Sequence, residues 1–171
     1  MRSIKDEPDL YEKKILLRLD LNVPLGNGKI TDTTRIDKVI PTINFLLKNK
    51  AKVIILSHMG RPNGKIVDEL SLRPVCKYLK NKINENVKLI TKNPKQIEIA
   101  DLFNNKDEKI IMLENLRFYE EEEKNNNEFA KHLASLADIY VNEAFSCSHR
   151  AHASIFEITK FIPSYAGLQL N

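Results

Sequence analysis

Lys52-Val53-Ile54-Ile55-Leu56-Ser57-His58-Met59-Gly60-Arg61-Pro62 is the stretch that decides the fold. Its aliphatic residues follow one another without alternation. That pattern suits a strand covered on both faces, as in a parallel sheet, and not one with a wet face. The character then changes abruptly to a hydroxyl, an imidazole, a glycine, a guanidinium and a proline. In open α/β sheets, ligands sit beyond the carboxyl ends of the strands, and this is such an end.

The same grammar recurs along the chain. Ile15-Leu16-Leu17-Arg18-Leu19 precedes it, and Val87-Lys88-Leu89-Ile90, Ile110-Ile111-Met112-Leu113 and Asp138-Ile139-Tyr140-Val141 follow. Between these runs the apolar period lengthens to that of a helix. Ile36, Val39, Ile40, Ile43, Leu46 and Leu47 form one face; Leu72, Val75, Cys76 and Leu79 form a second; Phe129, Leu133 and Leu136 form a third. Thr31-Asp32-Thr33-Thr34 offers caps to the first helix, and Ser71 with Pro74 opens the second. Pro41 predicts a kink in the first helix or a later start. Strand and helix alternating in this way predict βαβ units in a three-layer α/β architecture, a parallel sheet with helices on both faces.

The chemistry gathers where the runs end. The first leads into Asp20-Leu21-Asn22-Val23-Pro24, the fourth into Glu114-Asn115-Leu116-Arg117-Phe118, and the fifth into Asn142-Glu143-Ala144-Phe145 and Ser148-His149-Arg150-Ala151-His152. Arg35 opens the helix after the first strand and its loop. Of seven arginines in a chain with 20 lysines, four (Arg35, Arg61, Arg117 and Arg150) fall on this one edge. A guanidinium is always charged and grips carboxylate or phosphate through two parallel hydrogen bonds, which an ammonium cannot do. The expected ligand is a small, multiply charged anion, with His58, His149 and His152 nearby, and with Asp20 and Asn22 suited to a hydroxyl. Taken singly, each residue has a plainer reading. Asp20 can end its strand or pair with Arg18 or Arg35; His149 and His152 can cap or pack; Cys147 reads as a small filler and His132 as a surface residue. The Glu120-Glu121-Glu122-Glu123 run reads as a solvated acidic first turn, not a metal site.

Composition bounds the classes. At 171 residues and 42% hydrophobic, the chain suits one domain with a core of its own. No apolar run approaches the roughly 20 residues of a membrane span, and Met1-Arg2-Ser3-Ile4-Lys5-Asp6 lacks the apolar stretch of a signal peptide. Two cysteines make neither a disulfide framework nor a zinc set, so a cytoplasmic location is expected, without a membrane partner. Five glycines are too few, and too scattered, for either common glycine-rich nucleotide loop. A net charge of +4 admits a non-catalytic basic module for nucleic acid or another polyanion as the alternative. Basic residues are not interleaved with aromatics and no nucleic-acid motif occurs, so nucleic acid is not the expected partner.

Five strings, in order and spanning nearly the whole chain, resemble the phosphoglycerate kinase family. They are Arg18-Leu19-Asp20-Leu21-Asn22-Val23-Pro24-Leu25, Lys29-Ile30-Thr31-Asp32-Thr33-Thr34-Arg35-Ile36, Leu56-Ser57-His58-Met59-Gly60-Arg61-Pro62, Leu113-Glu114-Asn115-Leu116-Arg117-Phe118 and His149-Arg150-Ala151-His152. The resemblance implies a Rossmann-like fold and glycolytic phosphoryl transfer between 1,3-bisphosphoglycerate with ADP and 3-phosphoglycerate with ATP. It implies that residues 1–171 are the single N-terminal, 3-phosphoglycerate-binding domain. The magnesium nucleotide would be held mainly by a C-terminal domain absent from this chain, and the complete enzyme would be a monomer. A fragment of that kind is expected to bind substrate and not to turn over alone.

By the same resemblance, Arg61, Arg117 and Arg150 would hold the distal phosphate with His58 beside the substrate. Asp20 and Asn22 would take the hydroxyl. Arg35, the one residue given a catalytic role, would face the reacting carboxyl and offset charge on the transferring phosphoryl group. Leu21, Met59, Gly60 and His149 would support them, with no metal ligand and no cofactor ligand in this chain. One string departs from the family: Asn142-Glu143-Ala144-Phe145-Ser146 stands where members read Asn-Asp-Ala-Phe-Gly. A degenerate member with only a structural or interaction role is the third reading; retention of the expected substrate residues argues against it.

Overall fold

A computed structural model describes residues 1–144, 147 and 149–169. Among them, six parallel strands form one sheet in the order β5-β6-β4-β1-β7-β8: β1 (Lys14–Arg18), β4 (Lys52–Leu56), β5 (Val87–Ile90), β6 (Ile110–Leu113), β7 (Ile139–Asn142) and β8 (Ser164–Ala166). A small antiparallel hairpin, β2 (Leu25–Gly26) and β3 (Lys29–Ile30), stands apart. The helices are α1 (Thr34–Lys48), α2 (Arg73–Ile83), the one-turn α3 (Glu120–Glu123) and α4 (Asn127–Ala134).

Residues alternate between the two faces of the sheet, and each face has its own core. Ile15, Leu17, Val53, Ile55, Ile110 and Met112 pack with Ile36, Val39, Ile43 and Leu46 of α1 and with Val75, Cys76 and Leu79 of α2. Leu16, Ile54, Leu56, Ile111, Leu113 and Tyr140 pack on the other side with Phe129, Ala130 and Leu133 of α4. Each fully buried aliphatic side chain contributes about 1.5–3 kcal/mol, which explains why the strands carry unbroken apolar runs. The expected three-layer, Rossmann-like parallel sheet is therefore the observed one.

Several local expectations change. α1 begins at Thr34 and runs through Pro41, so the later start is excluded. Pro41 lies on the exposed face, where water can take up the carbonyl that its missing N–H leaves free. Ser71 stands just outside α2, accepting from the Arg73 amide at 3.1 Å, while the start of that helix is pinned to the end of β6: the Leu72 amide and the Ser71 hydroxyl donate to the two Glu114 oxygens at 2.8 and 2.7 Å. His132 is half-buried and paired with the Ile97 carbonyl at 2.7 Å, so it is not a free surface residue. Glu122 is fully buried, which overturns the solvated reading of the acidic run at that position, while Glu120 and Glu123 remain exposed.

Strand order positions the site. β1 is central, with β4 on one side and β7 on the other, and Arg18 is in register with Leu56 and with Asn142. The segments after these three strands, and after β6 beyond β4, therefore emerge side by side at one edge.

Candidate functional site

A cleft of about 590 Å³ opens at that edge, bordered by Asp20, Asn22, Arg35, His58, Gly60, Arg61, Asn63, Arg117, Glu123, Cys147 and Arg150. Its size is that of a small-molecule site, which typically runs from about 300 to 1,000 Å³. All seven predicted substrate residues border it: Asp20, Asn22, Arg35, His58, Arg61, Arg117 and Arg150. Gly60 joins them. Leu21 and Met59 do not; both are buried in the apolar core and serve the cleft only through their backbones. His149 is exposed and does not border the cleft, so it does not pack. His152 is buried. A larger hollow of about 730 Å³ lies beside the β2–β3 hairpin and α2; among the described residues Arg73 is the one arginine in its wall, and it lacks the convergence of guanidinium groups.

The loop after β1 is tied down on both sides. The Leu21 amide donates to Ser57 Oγ at 3.0 Å, and that hydroxyl donates to the Leu19 carbonyl at 2.8 Å. Asn22 Oδ1 accepts from the Gly60 amide at 3.0 Å, joining the β1 and β4 loops across the cleft. Gly60 has φ +61°, and a Cβ there would come within 2.8 Å of the Leu70 side chain, so any other residue would be strained and would displace Leu70. Asn115 completes the scaffold. Its amide nitrogen donates to the Met59 and Leu70 carbonyls at 2.7 and 3.0 Å, and its Oδ1 accepts from the Arg117 amide at 3.0 Å.

Arg35 resolves the alternatives left open for Asp20. Its Nη1 donates to both Asp20 oxygens at 3.2 and 3.3 Å and to the Asn22 carbonyl at 3.1 Å, and its side chain stays half exposed. Arg117 is only 7% exposed, and its Nε has no hydrogen-bond partner among the described residues, as expected of a donor waiting for an anion. Burial pulls its pKa below the usual arginine value. Four guanidinium groups against the carboxylates of Asp20 and Glu123 leave the cleft wall with a net +2. That field suits a ligand bearing phosphate and carboxylate together.

His58 adds no charge. Burial, with Arg18 and Arg117 nearby, pushes its pKa down to about 2, so the imidazole is neutral at any ordinary pH. Burial likewise lowers the pKa of His152. Cys147 is buried, as a filler would be, yet it borders the cleft. Phe145 and Ser146 of the departing string, and Ser148 beyond it, lie outside the described residues. Glu143 of that string is buried: it accepts the Thr42 hydroxyl of α1 and the Gln169 amide, and a side chain on Gly167 would run into its carboxylate.

Asn63 and Glu123 were not expected in the cleft. Neither carries a sequence signal, since one follows a proline and the other closes a run of like charges. Among the described residues no group of acidic, histidine or cysteine side chains is arranged for a metal ion, and no helix is long and apolar enough to cross a membrane.

Fold and cleft together define an open α/β domain with a cationic, anion-receiving crevice at the carboxyl edge of its sheet. Comparison with known proteins narrows this further. The family model for phosphoglycerate kinase matches residues 4–171. The phosphoglycerate kinase of Wolbachia sp. subsp. Brugia malayi is 52% identical over 164 residues, covering 95% of this chain and 40% of that protein. That of Dictyoglomus turgidum is 49% identical over 166 residues, covering 97% and 41%. Among solved structures, phosphoglycerate kinase from Coxiella burnetii superposes with a TM-score of 0.88 at 40% identity, over 98% of this chain and 42% of that one. The enzyme from Pyrococcus horikoshii gives 0.87 at 28% identity, over 99% and 43%. The chain belongs to the phosphoglycerate kinase family, and it spans about two fifths of the length of these relatives.

Proposed function

We propose that residues 1–171 form the N-terminal, 3-phosphoglycerate-binding domain of a phosphoglycerate kinase. In the whole protein the acyl phosphate of 1,3-bisphosphoglycerate would pass its phosphoryl group to ADP, leaving the carboxylate of 3-phosphoglycerate and forming ATP. The observation that carries the reading is the convergence of Arg35, Arg61, Arg117 and Arg150 with Asp20, Asn22 and His58 on one cleft in a member of this family. Arg61, Arg117 and Arg150 grip the distal phosphate. Asp20 and Asn22 take the hydroxyl. Arg35, steadied by Asp20, faces the reacting carboxyl and balances the charge that spreads over the transferring group.

The family works with magnesium and adenine nucleotide. The described residues here do not fit that group: the cleft is lined by guanidinium donors, and one of its two carboxylates is bonded to Arg35. The nucleotide belongs to the part of the family's length that this chain does not span. The protein works as a cytoplasmic monomer on small molecules, and two buried free thiols are in keeping with a reducing compartment. Nucleic acid is not its partner.

Titration of 3-phosphoglycerate against this chain tests the site. Charge-assisted hydrogen bonds contribute about 1.5–3 kcal/mol each, so the double variant Arg61→Ala/Arg150→Ala should bind at least about a hundredfold more weakly. Equal affinities would refute the assignment, and RNA or DNA binding that survives moderate salt would favour the basic-module reading. In a coupled assay the chain alone should form no ATP from 1,3-bisphosphoglycerate and ADP. Near-normal turnover would sink the division of labour proposed here.

A further inference from the structure

Beneath the cleft lies a polar cluster that neither composition nor the proposed substrate contacts account for. Arg18, the last residue of β1, is fully buried on the α3 and α4 face of the sheet. Its Nε donates to Ser154 Oγ at 2.8 Å; that hydroxyl donates to Glu122 Oε2 at 2.5 Å, and Glu122 Oε1 accepts the Ser154 amide at 2.9 Å. Arg18 Nη2 lies 3.8 Å from Glu122 Oε2, and Tyr140 buttresses the cluster by donating its hydroxyl to the Ser154 carbonyl at 2.6 Å. The remaining Nη1 donates to the Leu19 carbonyl. A buried ion pair of this kind is a doubtful source of stability, since apolar residues of equal volume often do as well, so a role in specifying geometry is the better account.

That geometry ends on His58. Arg18 Nη2 is 3.0 Å from His58 Nδ1. A guanidinium has donors and no acceptor, so Nδ1 must accept, and the single proton of the neutral ring must sit on Nε2. His58 is 2% exposed and borders the cleft. We propose that Arg18, held in place by Glu122 and Ser154, is a positioning residue that locks His58 as the Nε2–H tautomer, so that the cleft offers substrate an uncharged donor of fixed direction. A charged imidazole there would add a fifth cation to a wall already rich in them. Its strength would then vary with pH. The locked neutral ring does not vary.

The charged and titratable groups around His58 reinforce this. Arg18 faces it from β1, Arg117 from the segment after β6, and Arg150 and His152 from the segment after β7. Asp20, Arg35, Arg61, Glu123 and Cys147 share the cleft wall. Arg18, Arg117, Arg150 and His152 each disfavour a second proton on the ring.

The lock is tested on the ligand-free chain and so stands apart from the substrate reading on which its purpose rests. Long-range 1H–15N correlation spectra of labelled wild type between pH 5 and 8 should show His58 neutral, protonated on Nε2 and free of titration. In Arg18→Met/Glu122→Leu, which removes the pair without stranding a charge, His58 should become a mixture of Nδ1–H and Nε2–H tautomers, with its pKa raised from the wild-type value but still held down by burial and by Arg117. Wild-type His58 protonated on Nδ1, or titrating within that pH range, would overturn the proposal. So would a folded double variant with an unchanged His58 spectrum. If the variant does not fold, the wild-type spectrum decides alone. Compared at each pH, so that the ligand's own titration cancels, the variant should bind 3-phosphoglycerate about tenfold more weakly, the effect of losing one fixed neutral hydrogen bond. Loss of the lock with no change in binding would refute its role for the ligand. Absence of 3-phosphoglycerate binding in wild type would refute the substrate reading and leave the tautomer result standing.

Discussion

Glu122→Ala is expected to cost about 3–5 kcal/mol, a fifth or more of the stability of an ordinary domain. The substitution leaves the Arg18 guanidinium fully buried with its carboxylate partner gone, and it strips the acceptors from the Ser154 amide and hydroxyl. Urea unfolding followed by circular dichroism measures the loss as a shift in midpoint at unchanged slope. The second arm matters as much as the first. Arg18→Met/Glu122→Leu should recover most of the deficit, because removing both charges removes the desolvation cost along with the attraction. A Glu122→Ala loss below about 1 kcal/mol would place this pair among exposed ion pairs, which contribute little. A double variant no more stable than the single would show that Ser154 and Tyr140 need both charges to hold their places.

This cluster also marks where sequence reasoning stops. Glu122 sits inside four consecutive glutamates, and a run of like charge is ordinarily a wet helix face. What buries one of the four is the return of the chain at Ala153 and Ser154, whose amides bond the Glu122 carbonyl and carboxylate. No local pattern records that approach. β8 was missed for a related reason: three residues between Pro163 and Gly167 are too few to show a period, and they become a strand only by pairing with β7. The buried strands were legible because being covered on both faces forces an unbroken aliphatic run, as in Lys52–Leu56. The cleft was legible because residues that hold anions stood at the ends of those runs. Parallel register then brought the ends of β1, β4 and β7 together. His149 stands outside the cleft wall, since nearness in sequence to Arg150 says nothing about which way a loop side chain turns.

The largest kinetic effect is expected at Arg35. With this chain joined to the remaining three fifths of its relatives' length, Arg35→Ala should lower kcat by about 10²–10³, the usual consequence of removing one preorganised group aimed at developing charge. KM for 3-phosphoglycerate should change far less, because the phosphate is proposed to rest on Arg61, Arg117 and Arg150. Arg35 suits the role because its anchorage is one-sided. Nη1 donates to both Asp20 oxygens and to the Asn22 carbonyl, which orients the guanidinium while the side chain stays half exposed at the cleft. Arg35→Lys should restore only a small part of the rate: an ammonium can meet Asp20 or the substrate, but it cannot span both as a rigid fork. Asp20→Asn should act through the same contact, leaving Arg35 charged but less firmly oriented, with a kcat loss smaller than that of Arg35→Ala. Steady-state kinetics in both directions separates these cases. A kcat for Arg35→Ala within about threefold of wild type, or a loss carried wholly by KM, would show that Arg35 binds ground state and transition state alike, and the charge-balancing role would then have to pass to the nucleotide-binding part of the protein.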